Sequence, residues 1–425
     1  MVLKVKRAVP NGKILIPGSK SHTIRALFFA SLAEGRSVIR HPLVSDDSRS
    51  AARVLRQFGA EVETGKDMYI VDGFGSVPGK TSGKLDAGNS GTTVLFAASV
   101  AALGKDRHIL DGDTQIRKRP VWPLIGSLTD LGAYCEYLNS SGYPPVSVKG
   151  PVKGGDIEIA CMTSQFLSSL LISLPLADGD SLIVPTVLYE KPYVEMTLWW
   201  LDKLGIRYER DGYKAFKIFG NQCYKGFEFD TPGDYSSATF FAVLAAVSGG
   251  NITIENLDPD DTQGDKGILN IIREMGAQVT VNERSLDVCG KTLSGTDIDL
   301  NSMPDALPAL SVLGCFANGT TRLLNVPQAR LKETDRIKVM CEELRKMGAD
   351  ISELDDGLVI RQSSLHAAFL NGHGDHRVVM ALSLAGAMCK DTTVIDTAEA
   401  ISVTFPDYIR LMNKIGMRME ISEDE

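Results

Sequence analysis

The pattern of apolar and polar positions repeats six times along the chain. Each repeat opens with a small polar cluster, continues with an Ala/Leu-rich apolar run of helical length, passes through an extended stretch and ends in a second helix. Each second helix closes on a glycine, and these glycines lie 73, 73, 71, 72 and 68 residues apart (Gly59, Gly132, Gly205, Gly276, Gly348 and Gly416). So regular a spacing predicts a sixfold structural repeat whose unit is too long for a solenoid.

Two repeats show the predicted elements most clearly. In the first repeat the pattern predicts a helix at 24–33, a strand at 37–40, a helix at 47–58 and a strand at 60–63. In the fourth it predicts a helix at 236–248, apolar nearly all round and therefore buried, a strand at 251–257, a helix at 267–275 and a strand at 277–281. Alternating helices and strands of this kind indicate an α/β protein.

The number of repeats and the length of the chain together predict two domains. A chain of 425 residues exceeds what one hydrophobic core normally serves, and six repeats divide into three for each domain. We expect one domain over 18–232 and a discontinuous one over 1–17 plus 233–425. The strand-like segment 2–16 has no repeat of its own, and we expect it to complete the sheet of the discontinuous domain.

Composition excludes several classes of protein. A net charge of −8 disfavours a nucleic-acid-binding protein, so an anionic ligand must be held by local cations. Seven scattered cysteines without a CxxC pair suggest neither a disulfide framework nor a zinc site. The N-terminus lacks the apolar segment of a signal peptide, and no apolar run is long enough to span a bilayer. We therefore expect a cytoplasmic protein with no membrane or nucleic-acid partner.

The polar openings of the repeats are the candidate chemistry, because a helix N-terminus offers free N–H groups and a partial positive charge to an anion. Four clusters add charged side chains: 18–25, 116–120, 330–336 and 374–377. In the third, Lys332, Glu333 and Arg336 would share one helical face. Arg119, Arg336 and Arg377 suit bidentate contacts with carboxylate or phosphate, so the ligand should bear several negative groups.

Taken singly, each cluster has an ordinary structural explanation. The 330–336 segment could be a solvated, salt-bridged helix start. Lys20 does not lie in a P-loop, since the GxxxxGK[ST] spacing is absent. His373 and His376 are more typical of capping or hydrogen bonding than of metal binding, and Ser164 with Gln165 could be only a helix cap. The clusters gain weight together, because they occupy equivalent places in the repeat.

Nine short motifs are shared with one enzyme family. They are PGSKSxxxR (17–25), GNSGT (88–92), KRP (118–120), TSQF (163–166), KPY (191–193), PDA (304–306), RxKETDR (330–336), DHR (375–377) and TFPDY (404–408). With them the chain resembles the 5-enolpyruvylshikimate-3-phosphate synthases, the enolpyruvyl transferases of the shikimate pathway, over residues 11–410. The resemblance implies an inside-out α/β barrel of two domains, each with three βαβαββ units, and an active site in the interdomain cleft.

The resemblance also implies a role for each matched residue. Lys20, Asp305 and Glu333 would be catalytic: Asp305 accepts the proton of the attacking 5-hydroxyl, and Glu333 protonates the methylene carbon and later removes that proton. The implied phosphoenolpyruvate-binding residues are Lys20, Gly91, Arg119, Gln165, Arg336 and Arg377. The implied acceptor-binding residues are Ser21, Arg25, Thr163, Ser164, Gln165, Tyr193, Asp305, Gln328 and Lys332. No metal or organic cofactor is implied, the substrates are small molecules, and the family suggests a monomer.

Four positions depart from the family pattern. Leu95 and Val403 stand where the family usually carries an arginine and a lysine, and Gln328 replaces an asparagine. Glu190 replaces a serine that usually contacts the phosphate of the acceptor, where a carboxylate is repulsive unless a cation intervenes. Each lost charge-assisted contact weakens binding by about 1.5–3 kcal/mol.

These departures leave three hypotheses open. The first is enolpyruvyl transfer to shikimate-3-phosphate by a variant site. The second is a paralogue with another acceptor, such as a nucleotide or a cyclitol. The related UDP-N-acetylglucosamine enolpyruvyl transferases carry a cysteine in the segment matching 113–119. This chain has none there, which argues against that sister reaction. The third, a non-catalytic binding protein on the same fold, is disfavoured by the presence of Lys20, Asp305, Glu333 and Arg336.

Overall fold

A computed structural model describes residues 1–65 and 67–423 of the chain. Within them lie twelve α-helices: α1 (Lys20–Ser31), α2 (Asp46–Phe58), α3 (Gly91–Ala101), α4 (Trp122–Asp130), α5 (Ser164–Ser173), α6 (Lys191–Lys203), α7 (Tyr235–Ser248), α8 (Ile268–Glu274), α9 (Leu307–Phe316), α10 (Arg336–Lys346), α11 (His376–Gly386) and α12 (Tyr408–Lys414). Short 3-10 helices cover Ile116–Lys118, Leu174–Leu176, Gly264–Gly267, Pro304–Ala306, Pro327–Leu331 and Ala398–Val403. No helix of the described residues is long and apolar enough to cross a membrane.

The same residues form the following strands: β1 (Val2–Lys6), β2 (Asn11–Leu15), β3 (Ala33–Glu34), β4 (Arg36–Arg40), β5 (Glu61–Thr64), β6 (Met68–Asp72), β7 (Lys84–Asp86), β8 (His108–Asp111), β9 (Tyr134–Tyr137), β10 (Val146–Lys149), β11 (Asp156–Cys161), β12 (Ser181–Leu188), β13 (Tyr208–Asp211), β14 (Ala215–Ile218), β15 (Tyr224–Lys225), β16 (Glu228–Asp230), β17 (Asn251–Glu255), β18 (Gln278–Val281), β19 (Ser285–Cys289), β20 (Asp297–Asp299), β21 (Thr320–Leu324), β22 (Asp350–Leu354), β23 (Gly357–Arg361), β24 (Phe369–Leu370), β25 (Thr393–Ile395) and β26 (Arg418–Ser422).

The chain divides into two compact units. The continuous unit is Gly18–Thr231, and the discontinuous unit is Met1–Pro17 with Pro232–Glu425. Each unit has its own hydrophobic core.

The continuous unit contains three four-stranded sheets with one shared topology. Their strand orders are β16-β4-β6-β5, β7-β8-β10-β9 and β11-β12-β14-β13. In each sheet the first two strands are parallel and the remaining pairs are antiparallel. Strand β16, from the end of the unit, is the edge strand of the first repeat's sheet and pairs in parallel with β4, so the unit closes on itself. Next to it in the chain, β15 forms a two-stranded parallel pair with β3.

The discontinuous unit repeats this topology three more times. Its sheets have the orders β2-β17-β19-β18, β20-β21-β23-β22 and β24-β25-β1-β26. Residues 2–16 join the discontinuous unit as expected, but they complete two of its sheets and not one. Strand β2 pairs in parallel with β17 of the fourth repeat, whereas β1 pairs with β25 and β26 of the sixth. The Ala8-Val9-Pro10 segment between them separates the two strands, because proline cannot donate to a sheet hydrogen bond.

The first helices of the repeats form the interior of each unit. In the continuous unit α3 contacts α1 and α5, and in the discontinuous unit α7, α9 and α11 contact one another. Their sequences are apolar on nearly every face, as in α7, where Tyr235–Ala246 are all buried. A helix without a polar face is stable only when neighbours cover it on all sides. The sheets therefore lie outside these helices.

The glycines that mark the repeat terminate the second helices. Gly59, Gly132, Gly205, Gly276, Gly348 and Gly416 all have positive φ, between 70° and 116°. A residue with a Cβ adopts this left-handed conformation only at a cost, which explains the recurrence of glycine at the turn into the next strand.

The predicted helix boundaries were less accurate than the repeat. Helix α1 begins at Lys20, four residues before the predicted start, because the polar residues 20–23 already form its first turn behind the N-cap Ser19. The helix predicted at 267–275 is divided into a 3-10 segment (Gly264–Gly267) and α8.

The N-terminal strand β2 provides a test of the discontinuous architecture. Ile14 is fully buried and pairs with Ile254, whereas its neighbour Leu15 is 61% exposed. We expect Ile14→Ala to reduce the free energy of unfolding by about 2–5 kcal/mol, because it leaves a cavity in the core of the discontinuous unit. Leu15→Ala should change it by less than about 0.5 kcal/mol. Equal urea midpoints for the two variants would contradict this placement of β2.

Candidate active site

Three of the six polar openings cap helices of the continuous unit. The side chains of Ser19, Ser90 and Thr163 accept hydrogen bonds from backbone N–H groups in the first turns of α1, α3 and α5. The sequence selects these starts because serine and threonine hydroxyls satisfy N–H groups that lack a helical partner. Lys20, Gly91 and Ser164 are the first residues of these helices, so the candidate residues stand at their positive ends.

Lys20 forms an ion pair with a residue that the sequence motifs did not identify. Its Nζ lies 3.2 Å from Oδ2 of Asp47, in the first turn of α2. Both side chains are largely removed from solvent. Asp47 therefore holds the ammonium group at the opening of α1 and compensates its charge.

Arg25 is buried against α5 and α6. Its Nε donates to Thr197 Oγ1 (2.9 Å), and its Nη2 donates to Ser168 Oγ (3.4 Å) and to the Tyr193 carbonyl (3.0 Å). Its Nη1 donates to the carbonyl of Ser21 (3.2 Å). Burial lowers the pKa of Arg25 to about 10, although Tyr193 and Glu190 act in the opposite direction. Three helices thus fix this guanidinium.

Thr163 and Ser164 bind a carboxylate of their own chain. Glu190 Oε2 accepts hydrogen bonds from the Ser164 N–H (3.1 Å), the Ser164 hydroxyl (2.9 Å) and the Thr163 hydroxyl (3.1 Å). We call these three donor groups the α5 pocket. Glu190 is itself buried and lies at the N-cap of α6. The Glu190 carboxylate, which departs from the family pattern, is therefore bound by residues that were expected to bind the acceptor.

Gly91 and Arg119 are in direct contact. A Cβ on Gly91 would lie 2.6 Å from Nη1 of Arg119, so only glycine leaves room for the guanidinium in this position. Gln165 is joined to the same opening, because its Nε2 donates to Thr92 Oγ1 (2.9 Å). The second and third openings of the continuous unit are thereby linked.

The turn that carries Arg119 is held by a buried carboxylate. Asp111 accepts hydrogen bonds from Arg117 Nε (2.8 Å) and Nη2 (2.7 Å) and from Lys84 Nζ (3.0 Å). Burial alone would raise the pKa of Asp111, but these two cations and the N–H of Gly112 lower it to about 2. Asp111 thus fixes the turn two residues before Arg119.

The charged residues of the discontinuous unit converge on one guanidinium. Arg336, the first residue of α10, is 1% exposed. Its Nε and Nη2 donate to Asp375, its Nη1 donates to Asp305 Oδ1 (2.8 Å), and its Nη2 also donates to Glu333 Oε2 (2.6 Å). Burial would lower the pKa of Arg336, but the three carboxylates together raise it above its ordinary value.

A second arginine completes this group, which we call the arginine cluster (Asp305, Glu333, Arg336, Asp375 and Arg377). Nη2 of Arg377 lies 3.0 Å from Asp305 Oδ2 and donates to Ser236 Oγ (3.2 Å). Both oxygens of Asp305 therefore face a guanidinium. Asp375 also caps α11, accepting from the N–H of Arg377 at 2.9 Å, so its position is fixed by the helix as well as by Arg336.

The prediction that Lys332, Glu333 and Arg336 share one helical face was wrong, although Glu333 does contact Arg336. Lys332 and Glu333 do not share a helical face with Arg336, because the 3-10 helix ends at Leu331 and α10 starts at Arg336. Glu333 reaches Arg336 from the connecting loop. A side chain on a loop can turn back to the helix start, which a count of helical spacing does not capture.

The structure also shows the surroundings of the other three residues that depart from the family pattern. Leu95 is buried in α3 within the core of the continuous unit, so an apolar side chain packs where the family usually carries a charge. Val403 ends the 3-10 helix Ala398–Val403 and is partly buried. Gln328 is buried and donates to the Asn301 carbonyl (3.0 Å), while its Oε1 has no hydrogen-bond partner among residues 1–65 and 67–423.

His373, at the sixth opening, serves hydrogen bonding. Nε2 of His373 lies 3.0 Å from Oε1 of the buried Glu343, which also accepts from Lys346 and from the N–H of Asn371. This network fixes the loop in front of α11. Within the part of the chain that the structure describes, no group of three or more His, Cys, Asp and Glu side chains could hold a metal ion.

Several supporting residues had no signal in the sequence. Asp47, Ser168 and Thr197 are distant in the chain from the cations that they hold. Locally, each is typical of a cap or of a polar residue within an element, and only the packing of the helices brings it to its partner. Asp375 lies within the DHR motif, but its bond to Arg336 spans 39 residues.

Comparison with known proteins identifies the family. The family model described as EPSP synthase (3-phosphoshikimate 1-carboxyvinyltransferase) matches residues 6–412. The chain belongs to the EPSP synthase family. It is 54% identical to the 3-phosphoshikimate 1-carboxyvinyltransferase of Acetivibrio thermocellus, with 100% of both chains covered, and 40% identical to that of Methanocella arvoryzae, covering 99% of this chain and 100% of the relative. The resemblance found in the motifs is thereby confirmed.

Solved structures of the EPSP synthase family support the fold. EPSP synthase from Acinetobacter baumannii matches with a TM-score of 0.83 at 26% identity, covering 99% of this chain and 100% of that one. The predicted α/β class is confirmed. Family membership makes the protein a transferase of the 3-phosphoshikimate 1-carboxyvinyltransferase type.

The Asp111 ion pairs predict a pH-dependent stability. The folded-state pKa of about 2 lies below the ordinary 3.8, so the stabilisation is complete above pH 4 and is lost as the pH falls toward 2. At pH 7 we expect Asp111→Asn to lower the free energy of unfolding by about 1 kcal/mol, since partial exposure of Lys84 and Arg117 weakens the pairs.

Urea denaturation at pH 7, 4 and 3 measures this effect. The difference between wild type and Asp111→Asn should shrink at pH 3. The control is Asp130→Asn, at the exposed end of α4, which should give the same small difference at every pH. A pH-independent penalty for Asp111→Asn would mean that the side chain acts through packing.

Proposed function

We propose that the protein transfers the enolpyruvyl group of phosphoenolpyruvate to the 5-hydroxyl of shikimate-3-phosphate and releases phosphate. The arginine cluster is the observation that carries this proposal. It holds two carboxylates, Asp305 and Glu333, on the same guanidinium of Arg336. A reaction that removes a proton from one atom and adds a proton to another can use two such groups, one as base and one as acid.

The proposed reaction has two steps. In the addition, Asp305 accepts the proton of the 5-hydroxyl, the oxygen bonds to C2 of phosphoenolpyruvate, and Glu333 protonates C3, which gives a tetrahedral ketal. In the elimination, Glu333 removes a proton from C3, the double bond returns, the bond from C2 to the phosphate oxygen breaks, and the proton that Asp305 accepted leaves with the phosphate. Both oxygens of Asp305 face guanidinium groups, which fix the position of its carboxylate.

The remaining residues are proposed to bind the two substrates. Arg336 and Arg377 would hold the carboxylate of phosphoenolpyruvate, and the donor phosphate would contact Lys20, Gly91, Arg119 and Gln165. The acceptor would contact Ser21, Arg25, Thr163, Ser164, Gln165, Tyr193, Asp305, Gln328 and Lys332. Arginine suits this task because its fork-shaped donors match carboxylate and phosphate oxygens. Gln328 supports it through a buried Oε1 that is not satisfied within the described chain.

The activity is tested by phosphate release from phosphoenolpyruvate with shikimate-3-phosphate as acceptor. We expect turnover by the wild type and a loss of at least about a thousandfold in kcat for Glu333→Gln, because the amide cannot exchange the C3 proton. Calorimetry should show that Glu333→Gln still binds both substrates within about threefold of the wild type.

The matched control is Glu342→Gln on the exposed face of α10, where Glu342 pairs only weakly with Lys338 (3.9 Å). Its kcat should equal that of the wild type. Turnover by Glu333→Gln at the wild-type rate would remove Glu333 from the proposed chemistry. Turnover with another hydroxyl compound, and none with shikimate-3-phosphate, would overturn the proposed acceptor.

The Gly91–Arg119 contact gives a separate prediction about the donor. In Gly91→Ala the new methyl group would meet the end of the Arg119 side chain, which can move without disturbing the fold. We expect unchanged thermal stability and a KM for phosphoenolpyruvate raised about tenfold, as for the loss of one charge-assisted hydrogen bond.

Gly126→Ala is the control for this variant, since a Cβ at Gly126 in α4 meets no atom within 4 Å. Steady-state kinetics with varied phosphoenolpyruvate should distinguish the two variants. An unchanged KM for Gly91→Ala would show that Arg119 does not hold the donor in the position described.

A further inference from the structure

The conformation of Glu190 indicates that its side chain is held in place by specific contacts. The residue lies between β12 and α6 with φ 57° and ψ 40°, a left-handed conformation that residues other than glycine and asparagine seldom adopt. Its side chain is only 2% exposed. Because both the backbone strain and the burial of a carboxylate cost free energy, the contacts of the side chain must compensate for them.

Those contacts include the three donors of the α5 pocket. The Ser164 N–H and hydroxyl and the Thr163 hydroxyl all donate to the same oxygen, Oε2, at 2.9–3.1 Å. The pocket opens the ten-residue helix α5, whose positive end favours an anion. The guanidinium of Arg25 is close enough for Glu190 to act on its pKa. The environment is therefore that of an anion site, and the occupant is a carboxylate of the protein.

The same donors suit a phosphate oxygen. Hydroxyl groups and a first-turn N–H of a helix bind phosphate in the same way as they bind a carboxylate. Two anions cannot share three donors without strong repulsion, unless a cation separates them. An entering phosphate must therefore displace the Glu190 carboxylate from the α5 pocket.

We propose that Glu190 determines acceptor affinity: its carboxylate occupies the α5 pocket in the unliganded protein, and the phosphate of the acceptor binds only by displacing it. This inference rests on the proposed function for the identity of the acceptor. The strained backbone fits such a role. The backbone conformation of Glu190 is itself unfavourable, so the side chain is held by its contacts with the pocket. The affinity for a phosphorylated acceptor is then lower than that of the empty pocket.

Two variants remove the internal anion in different ways. Glu190→Gln keeps the length of the side chain and removes its charge. Glu190→Asn removes the charge, is too short to make the same contacts and tolerates positive φ. The control is Glu195→Gln on the same helix, which changes the net charge equally but lies outside the pocket, where Glu195 pairs with Arg210.

Calorimetric titration with three probes separates the effects. The probes are shikimate-3-phosphate, inorganic phosphate and shikimate, which lacks the phosphate. For Glu190→Gln and Glu190→Asn we expect shikimate-3-phosphate and inorganic phosphate to bind about tenfold more tightly, since the competing charge is gone. The affinity for shikimate should change less than about twofold, and Glu195→Gln should match the wild type with every probe.

Other results would overturn the inference. Weaker binding of shikimate and shikimate-3-phosphate alike would mean that Glu190 accepts a hydrogen bond from an acceptor hydroxyl. Unchanged binding of both phosphate probes in both variants would mean that the phosphate does not enter the α5 pocket. Failure of the proposed function would give a different result. The wild type would then not release phosphate from phosphoenolpyruvate with shikimate-3-phosphate, but the affinity for inorganic phosphate would still show whether Glu190 competes for the α5 pocket.

Discussion

The burial of Arg336 is the constraint on which the discontinuous unit depends. A guanidinium removed from water is tolerated only when its donors meet acceptors, and here three carboxylates supply them. Asp305 precedes α9, Arg336 begins α10 and Asp375 caps α11. One side chain therefore ties together the starts of three helices, and Arg377 extends the connection to Ser236 on α7. The fold and the candidate chemistry share the same contacts.

The continuous unit neutralises its cations in the same manner. Asp47 pairs with Lys20, Asp111 pairs with Arg117, and Glu190 occupies the donors at the start of α5. Helix N-termini and clustered cations attract anions, and here carboxylates of the chain itself lie against them. Ligand affinity in such a site is a difference between two sets of charge-assisted contacts. On the proposal made for Glu190, a carboxylate that holds the site in position also sets how tightly the acceptor binds.

Much of the fold could be predicted because it follows from local rules. The sixfold repeat was visible in the glycines, which recur because a helix that turns sharply into a strand needs a residue with positive φ. The buried helix α7 was visible because no face of it is polar. The pairing of β1 and β2 with different sheets could not be predicted, because the sequence of a short strand does not indicate which strand it pairs with. The loop position of Glu333 was missed for a similar reason, because helical spacing describes helices only.

By itself, the sequence determined the α/β class, the number of repeats, the family and the residues at the helix starts, because periodicity, caps and motifs are written in short segments. Only the tertiary structure decided which charges meet. Arg336 and Asp375 are 39 residues apart, and Arg25 and Thr197 are 172 residues apart. That Glu190 lies in the α5 pocket could not be read from its neighbours, since a carboxylate is directed by the electric field and the donors around it, and those come from helices distant in the chain.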